Sequence, residues 1–290
     1  MLVGEYLDQY IDAFVRPFRA PNTVNCYRRA FQSLPVTVYG TDLQQLTGLQ
    51  LQAAINAQAR KHPRAAQLTF ACLSAAMKKA VQLGMLQHNP LQGCLKPVHH
   101  AAKAAVLTPE QLAAYIDAAR AEPAFPLLLL MAACGLRRGE ALGLRWDRVD
   151  LQNGVLQIDQ QRMRVHHGYQ LRPLKSKASR RALPLPPPIG EELRLIRVRS
   201  FSGFVVDTTP EALARAHGRV LDRAQLPHVT PHGLRHSMAT AAAAQGCPMK
   251  ILQGILGHSK YELTANLYAD HLSADAYAPY MATLAASLMG

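Results

Sequence analysis

Residues 230–240 read T-P-H-G-L-R-H-S-M-A-T, residues 256–260 read L-G-H-S-K, and Leu267-Tyr268 follow. His232, Arg235 and His258 can bind or protonate a phosphate, and Tyr268 carries a hydroxyl that can serve as a nucleophile. Thr230 is an N-cap candidate with Pro231 at the first helical position. His232 and Arg235, three apart, then share one helix face. His236 stands four from His232, a spacing that also suits a metal pair. With no Glu or Cys ligand nearby in sequence, and with Arg235 repelling a cation, the phosphate reading is the stronger. Gly246 should end this helix. Residues 249–256 should form another, capped by Gly257, with His258 in the turn. Residues 261–268 read as a short final helix. Beyond them Tyr277, Met281, Leu284 and Leu288 recur at helical spacing, so residues 273–290 form an amphipathic tail that docks on its own domain or on a neighbouring subunit.

Far upstream lies C-G-L-R-R-G-E, residues 134–140. Gly135 breaks a helix, and Glu140 stands three residues after Arg137, where a short helix lets it hold the guanidinium. A surface ion pair is the plainer alternative, and Arg138 rivals Arg137. Residues 146–150, 155–159 (around an Asn153-Gly154 turn), 161–165, 169–172, 181–185 and 203–206 read as strands. Residues 160–190 hold seven Lys/Arg and no Asp/Glu, a single-sign run that suits phosphate contact. Lys175, Lys177 and Arg180 sit in L-K-S-K-A-S-R-R, a polar turn between strands. Helices are expected over 108–121, 123–134, 188–199 and 210–223.

The first hundred residues read as short helices. Leu2, Tyr6, Tyr10 and Phe14 give one apolar stripe that Pro17 should end. A second helix follows Asn22-Thr23, a third covers 48–60, and a fourth covers 63–83, with Pro63 in its first turn and Gly84 beyond its end. Residues 1–98 carry ten Lys/Arg against four Asp/Glu. Arg28, Arg29, Arg64, Lys78 and Lys79 are candidates to line a duplex backbone; a solvated helix face explains them equally well. Residues 98–106 read as a linker in which Lys103 adds a cation. The organisation expected is therefore a helical domain over 1–97, this linker, and a mixed α+β domain over 107–290.

Across 290 residues the formal net charge is +13, which argues for an anionic partner, most simply nucleic acid. Nearly half of the residues are apolar, so global disorder is excluded. The five cysteines are scattered without a C-x-x-C pair, fitting reduced thiols. The N-terminal segment lacks a basic region and a long apolar run, so no signal peptide is expected. No run spans a bilayer.

Together, G-L-R-R-G-E, L-K-S-K-A-S-R-R-A-L-P-L, H-G-L-R-H-S-M-A-T, L-G-H-S and the tyrosine ten residues after His258 resemble the tyrosine recombinases, the family of the phage integrases and the Xer and Cre recombinases. The resemblance covers Leu107 to about His271, in order. It implies a mostly α fold with a small β-sheet: a helical, SAM-like core-binding domain followed by the mixed α+β catalytic domain. It implies Tyr268 as nucleophile, Arg137 and Arg235 as the paired arginines on the scissile phosphate, and His232 and His258 as the two site histidines. It implies Lys175 as general acid, with Lys177 its rival, and Glu140 as support for Arg137. It further implies double-stranded DNA recombination sites as substrate, a 3′-phosphotyrosyl intermediate, a Holliday junction, a tetramer on DNA and no metal or cofactor. An accessory DNA-bending protein and a nucleoid-associated, cytoplasmic setting fit that scheme. A type IB topoisomerase-like relaxing enzyme and a non-catalytic DNA-binding regulator are the competing readings.

Overall fold

The computed structural model describes residues 1–99, 105–165, 168–174, 176–197 and 203–258. Lys103, Lys175, Tyr268, the side chain of Lys177, and the helices expected over 261–268 and 273–290 lie outside the described residues. The chain divides into two compact units, Met1–Ala102 and Lys103–Gly290. Residues 98–106, read as a linker, straddle that division.

The first unit is helical. Its elements are α1 (Val3–Tyr10), α2 (Pro21–Gln32), α3 (Val36–Tyr39), α4 (Gly48–Lys61) and α5 (Pro63–Gln82). The stripe expected from Leu2 to Phe14 is not carried by one regular helix. After α1 the backbone widens into a π-turn, Ile11–Val15, and the shifted register buries Ile11 and Val15 while Leu2 stays exposed. The turn closes before Pro17, as the missing N–H of proline requires. Helix α2 starts at Pro21 and takes in Asn22-Thr23, after which it was expected to begin, and α3 was not expected at all. Helix α5 has Pro63 at its start and Gly84 past its end with φ +73°. It buries Ala66, Thr69, Leu73, Ala76, Met77 and Ala80, the i, i+3, i+4, i+7 recurrence of one apolar face. Tyr10, Tyr27 and Phe31 pack around one another against this face, and the buried Tyr6 hydroxyl donates to the Ala76 carbonyl at 2.5 Å.

The second unit is built around α7 (Phe125–Ala133), whose F-P-L-L-L-L-M-A stretch is buried on every side. Around it pack α6 (Pro109–Ala119), α8 (Arg138–Gly143), α9 (Pro187–Arg197) and α11 (Pro231–Ala244), while α10 (Pro210–Arg223) covers α6. Helices α6, α10 and α11 each begin Thr-Pro. In each, the Thr108, Thr209 or Thr230 hydroxyl accepts the backbone N–H three residues on, at 3.3, 3.1 and 3.1 Å. The last helix described is α12 (Met249–Leu256).

Two small antiparallel sheets complete the unit: β1 (Val149–Asp150), β2 (Val155–Ile158) and β5 (Arg181–Pro184) in the order β1-β2-β5, and β3 (Gln160–Val165) with β4 (Gly168–Pro173) as a separate ribbon. Ile158 pairs with Arg181, so the ribbon is an excursion inserted between two neighbouring strands. The Leu174 N–H closes it by donating to the Asp159 carbonyl at 2.9 Å. The segment L-K-S-K-A-S-R-R lies between strands, as expected, but the strands it joins, β4 and β5, are not paired with each other. It crosses from one sheet to the other through a 3-10 turn at Lys177–Ser179. Two strand expectations also change. Trp146–Arg148 forms a 3-10 turn, and residues 203–206 contribute a single bridge, Arg145 to Phe204. Among the described residues no helix is long and apolar enough to cross a membrane.

Candidate active site

The L-G-H turn at the end of α12 organises the site. Gly257 has φ +61° and ψ +46°, left-handed backbone that favours glycine. The His258 N–H donates to Gln253 O at 3.2 Å and the Gly257 N–H to Gly254 O at 3.1 Å, the two bonds of a Schellman cap. The Gln253 amide returns a bond to the His258 carbonyl at 3.1 Å, clasping that residue from both sides. A Cβ on Gly257 would sit 3.0 Å from the Arg181 guanidinium and 3.1 Å from the Ala178 carbonyl.

A helix end leaves its last carbonyls without intrahelical partners. Here three consecutive ones accept from three different arginines. Ile255 O takes Arg181 Nε at 2.6 Å, Leu256 O takes Arg235 Nη2 at 2.5 Å, and Gly257 O takes Arg137 Nη2 at 2.9 Å. The negative end of the α12 dipole thus faces three cations. Arg235 also donates to Gly135 O at 2.7 Å, so the turn that presents Arg137 is tied to the guanidinium of α11. Gly135 has φ +65°. Arg235 is 1% exposed, whereas the Arg137 side chain is 32% exposed and open to a ligand.

Glu140 is buried behind Arg137. One carboxylate oxygen accepts Arg137 Nη1 at 2.6 Å, and the other accepts the Arg137 backbone N–H at 2.9 Å. It is no surface ion pair. Arg138 is exposed at the start of α8. A partner absent from the sequence expectations is Arg181, which donates to the second oxygen of Glu140 at 2.9 Å and to the first at 3.3 Å. Burial works to raise the Glu140 pKa, but the Arg181 bonds and charge, then Arg137, hold it below the ordinary carboxylate range. Glu140→Gln is expected to cost roughly 3 kcal/mol of stability, because two guanidiniums lose a buried counter-charge. Urea unfolding reads this; a cost near zero would mean the cluster is solvated.

His232 and His258 are brought beside both arginines. The protein packed around its ring, then His236, Arg235 and Arg137, push His232 down to about 4. Burial, then Arg235 and Arg137, push His258 down to about 4. His236 lies edge-on to His232 at 4.4 Å and is lowered by burial and by Arg235. His232 nonetheless stands exposed, which screens part of its shift. Among the described residues no cluster of three or more His, Cys, Asp or Glu is placed to hold a metal. The start of α11, which carries His232, is held from behind. Val229 O can only accept, so His217 carries its proton on Nε2 and donates at 2.7 Å, leaving Nδ1 to accept from Tyr115 at 2.8 Å. Ser237 donates to Gly233 O and accepts the Leu107 N–H, both at 2.8 Å.

These depressed histidines give the DNA-free protein a pH-dependent stability. Between the unfolded value of 6.5 and about 4, the unfolded chain binds protons that the folded chain refuses. Stability is fully present above 6.5 and is lost as pH falls towards 4. His217, lowered by burial, adds the same sign. Thermal midpoints measured from neutral pH down to pH 5 should fall steadily; a flat profile would contradict neutral histidines.

The expected DNA contacts fall in both units. Arg29, Arg64, Lys78 and Arg180 are exposed. Arg28 is half-buried and donates to Asn25 at 3.2 Å, and Lys79 lies over the Phe14 ring at 5.0 Å. Arg28 and Arg29 stand on α2 and Arg64, Lys78 and Lys79 on α5, which pack together.

Comparison with known proteins follows this geometry. The Phage integrase family model matches residues 105–274, more than half of the chain. Over 92% of its length the chain is 25% identical to the tyrosine recombinase XerC-like protein of Caldanaerobacter subterraneus subsp. tengcongensis, covering 78% of that protein. Over 90% it is 29% identical to tyrosine recombinase XerC of Mycobacterium sp. strain JLS, covering 92% of it. The transposon Tn1549 integrase bound to transposon right-end DNA superposes with a TM-score of 0.83 at 22% identity, over 98% of this chain and 100% of that one. The lambda integrase tetramer bound to a Holliday junction superposes with a TM-score of 0.70 at 18% identity, over 90% and 78%. At these identities the two structures establish a shared fold.

Proposed function

The chain belongs to the phage integrase family, the tyrosine recombinases that break and rejoin DNA at specific sites, and we propose that it does so through a 3′-phosphotyrosine on Tyr268. The observation that carries the proposal is the set of three arginines gathered on the last carbonyls of α12, beside His258; Tyr268 follows His258 by ten residues in the sequence.

The Tyr268 oxygen attacks the scissile phosphorus while its proton passes to His232. Tyrosine ionises near pH 10 in water, so a base is needed, and a neutral imidazole is the form that accepts. The DNA-free site is cationic and holds His232 neutral. A bound phosphate brings negative charge and raises the histidine pKa, which strengthens it as a base. The transition state gathers charge on the non-bridging oxygens. Arg137 and Arg235 neutralise it with planar, permanently charged donors. His258 donates one more hydrogen bond. Lys175, with Lys177 as its rival, protonates the leaving 5′-oxygen. One P–O bond forms as another breaks, so the bond energy is kept and no cofactor is consumed. A 5′-hydroxyl from a partner duplex then reverses the step.

Two rounds of exchange pass through a Holliday junction and require a tetramer on two DNA sites at the nucleoid, with room for a DNA-bending accessory protein. Glu140 supports Arg137. Arg28, Arg29, Arg64, Lys78, Lys79, Lys103, Lys177 and Arg180 grip the phosphates. Arg64 and Lys78 stand about 21 Å apart along α5, too far for one phosphate, so this helix would follow the backbone.

The test is capture. The protein is mixed with randomly nicked DNA from its own source, denatured, and the protein-linked fragments are sequenced. A nick near the cleavage point lets the short 5′ end diffuse away and traps the adduct. Adducts at a few defined sites support the proposal; adducts without sequence preference point to DNA relaxation instead. Binding to one site without any adduct points to a regulator.

A further inference from the structure

We infer that Arg181 is a positioning residue for the cleavage step: the clamp that holds Glu140, and through it the Arg137 guanidinium, in register with the α12 end that presents His258. The inference rests on the recombinase reading of the site and assigns a role to a residue that the reading leaves out.

Arg181 opens β5, and its side chain is 7% exposed, so it is shielded from bulk solvent. Its guanidinium joins three pieces of chain far apart in sequence. Nη2 and Nη1 reach the two oxygens of Glu140 on α8, Nε reaches Ile255 O on α12, and Nη1 also reaches Ser179 O in the turn after the lysine segment. Glu140 is gripped on one side by Arg137 and on the other by Arg181. Without Arg181 the carboxylate keeps only its bonds to the Arg137 guanidinium and backbone N–H, and the Arg137–Glu140 pair loses the brace on its far side. The α12 carbonyl row loses one of its three tethers at the same time. Arg137 is the exposed arginine of the pair, so its aim depends on what stands behind it.

Lysine suits the substitution because it keeps a positive charge beside buried Glu140 but lacks the planar fork that spans two oxygens and a carbonyl. The probe is a duplex carrying a captured site with a nick beside the scissile phosphate. Single-turnover adduct formation by Arg181→Lys should slow on the order of 10- to 100-fold, the cost of a misaimed charged group. Affinity for the intact duplex, measured in a Tyr268→Phe background, should not change. On a Glu140→Gln background the same substitution should slow cleavage clearly less than it does alone, because the larger part of its action passes through that carboxylate. If Arg181→Lys does not fold, the neutral pair Arg181→Met with Glu140→Leu replaces it, and the same slow cleavage is expected. An unchanged rate in either variant overturns the inference. So does a loss that is fully additive with Glu140→Gln, or one that appears in DNA affinity. Absence of any adduct from the unsubstituted chain overturns the recombinase reading of the site, and this inference with it.

Discussion

Tyr268→Phe is expected to bind its DNA site as the parent chain does and to form no covalent adduct. The substitution removes one oxygen and keeps the ring, so packing is preserved while the attacking atom is lost. Deleting a nucleophile outright costs on the order of 10⁶ in rate in serine enzymes, which here means no measurable product. Nearby Tyr261, Tyr277 and Tyr280 are not expected to substitute, because attack requires the oxygen in line with the leaving group, and misplacement of about 1 Å can cost 100-fold. Gel shift and denaturing electrophoresis on the same captured duplex read both halves. An adduct that persists in Tyr268→Phe would move the nucleophile elsewhere.

Arg235→Lys is expected to reduce single-turnover cleavage by about 10² to 10³, the range for losing one preorganised donor at an anionic transition state. The reason is geometric. The Arg235 guanidinium donates at once to Gly135 O at 2.7 Å and Leu256 O at 2.5 Å while its charge faces the site. A lysine ammonium is a single point on a flexible stem and cannot span the two carbonyls. One buried carbonyl is then left unpaired, at about 1–3 kcal/mol, so the thermal midpoint should fall as well. Cleavage that survives this change would mean that Arg137 alone carries the charge.

Much of this site was legible because its backbone geometry is written in special residues. Thr230-Pro231 announces the start of α11, and Gly257 announces the left-handed cap that puts His258 in a turn. Gly135 before Arg137 likewise marks the break after which the Arg137 guanidinium reaches the Gly257 carbonyl. The longer helices of the first unit were readable from their apolar faces, but the four-residue α3 and the π-turn at Ile11–Val15 were not, the latter because it slips the register without a proline or glycine. The β3–β4 ribbon was read as strands, yet its separation from β2 and β5 depends on which strand pairs with which, a long-range choice that no local pattern carries. That pairing also hid Arg181. In sequence it is one cation in a run of seven, and only the β2–β5 register turns it inward. The available signal was period two: Arg181, Leu183 and Leu185 alternate with exposed residues, which puts the arginine on the buried face of its strand.

The most direct measurement is to identify the amino acid that carries the DNA. Trapped adduct would be trimmed with nuclease, digested with protease, and the nucleotide-bearing peptide sequenced by mass spectrometry. The account predicts a nucleotide joined by its 3′-phosphate to Tyr268. A nucleotide on Tyr261, Tyr277, Tyr280 or any other residue, or a 5′-phosphate linkage, would contradict it.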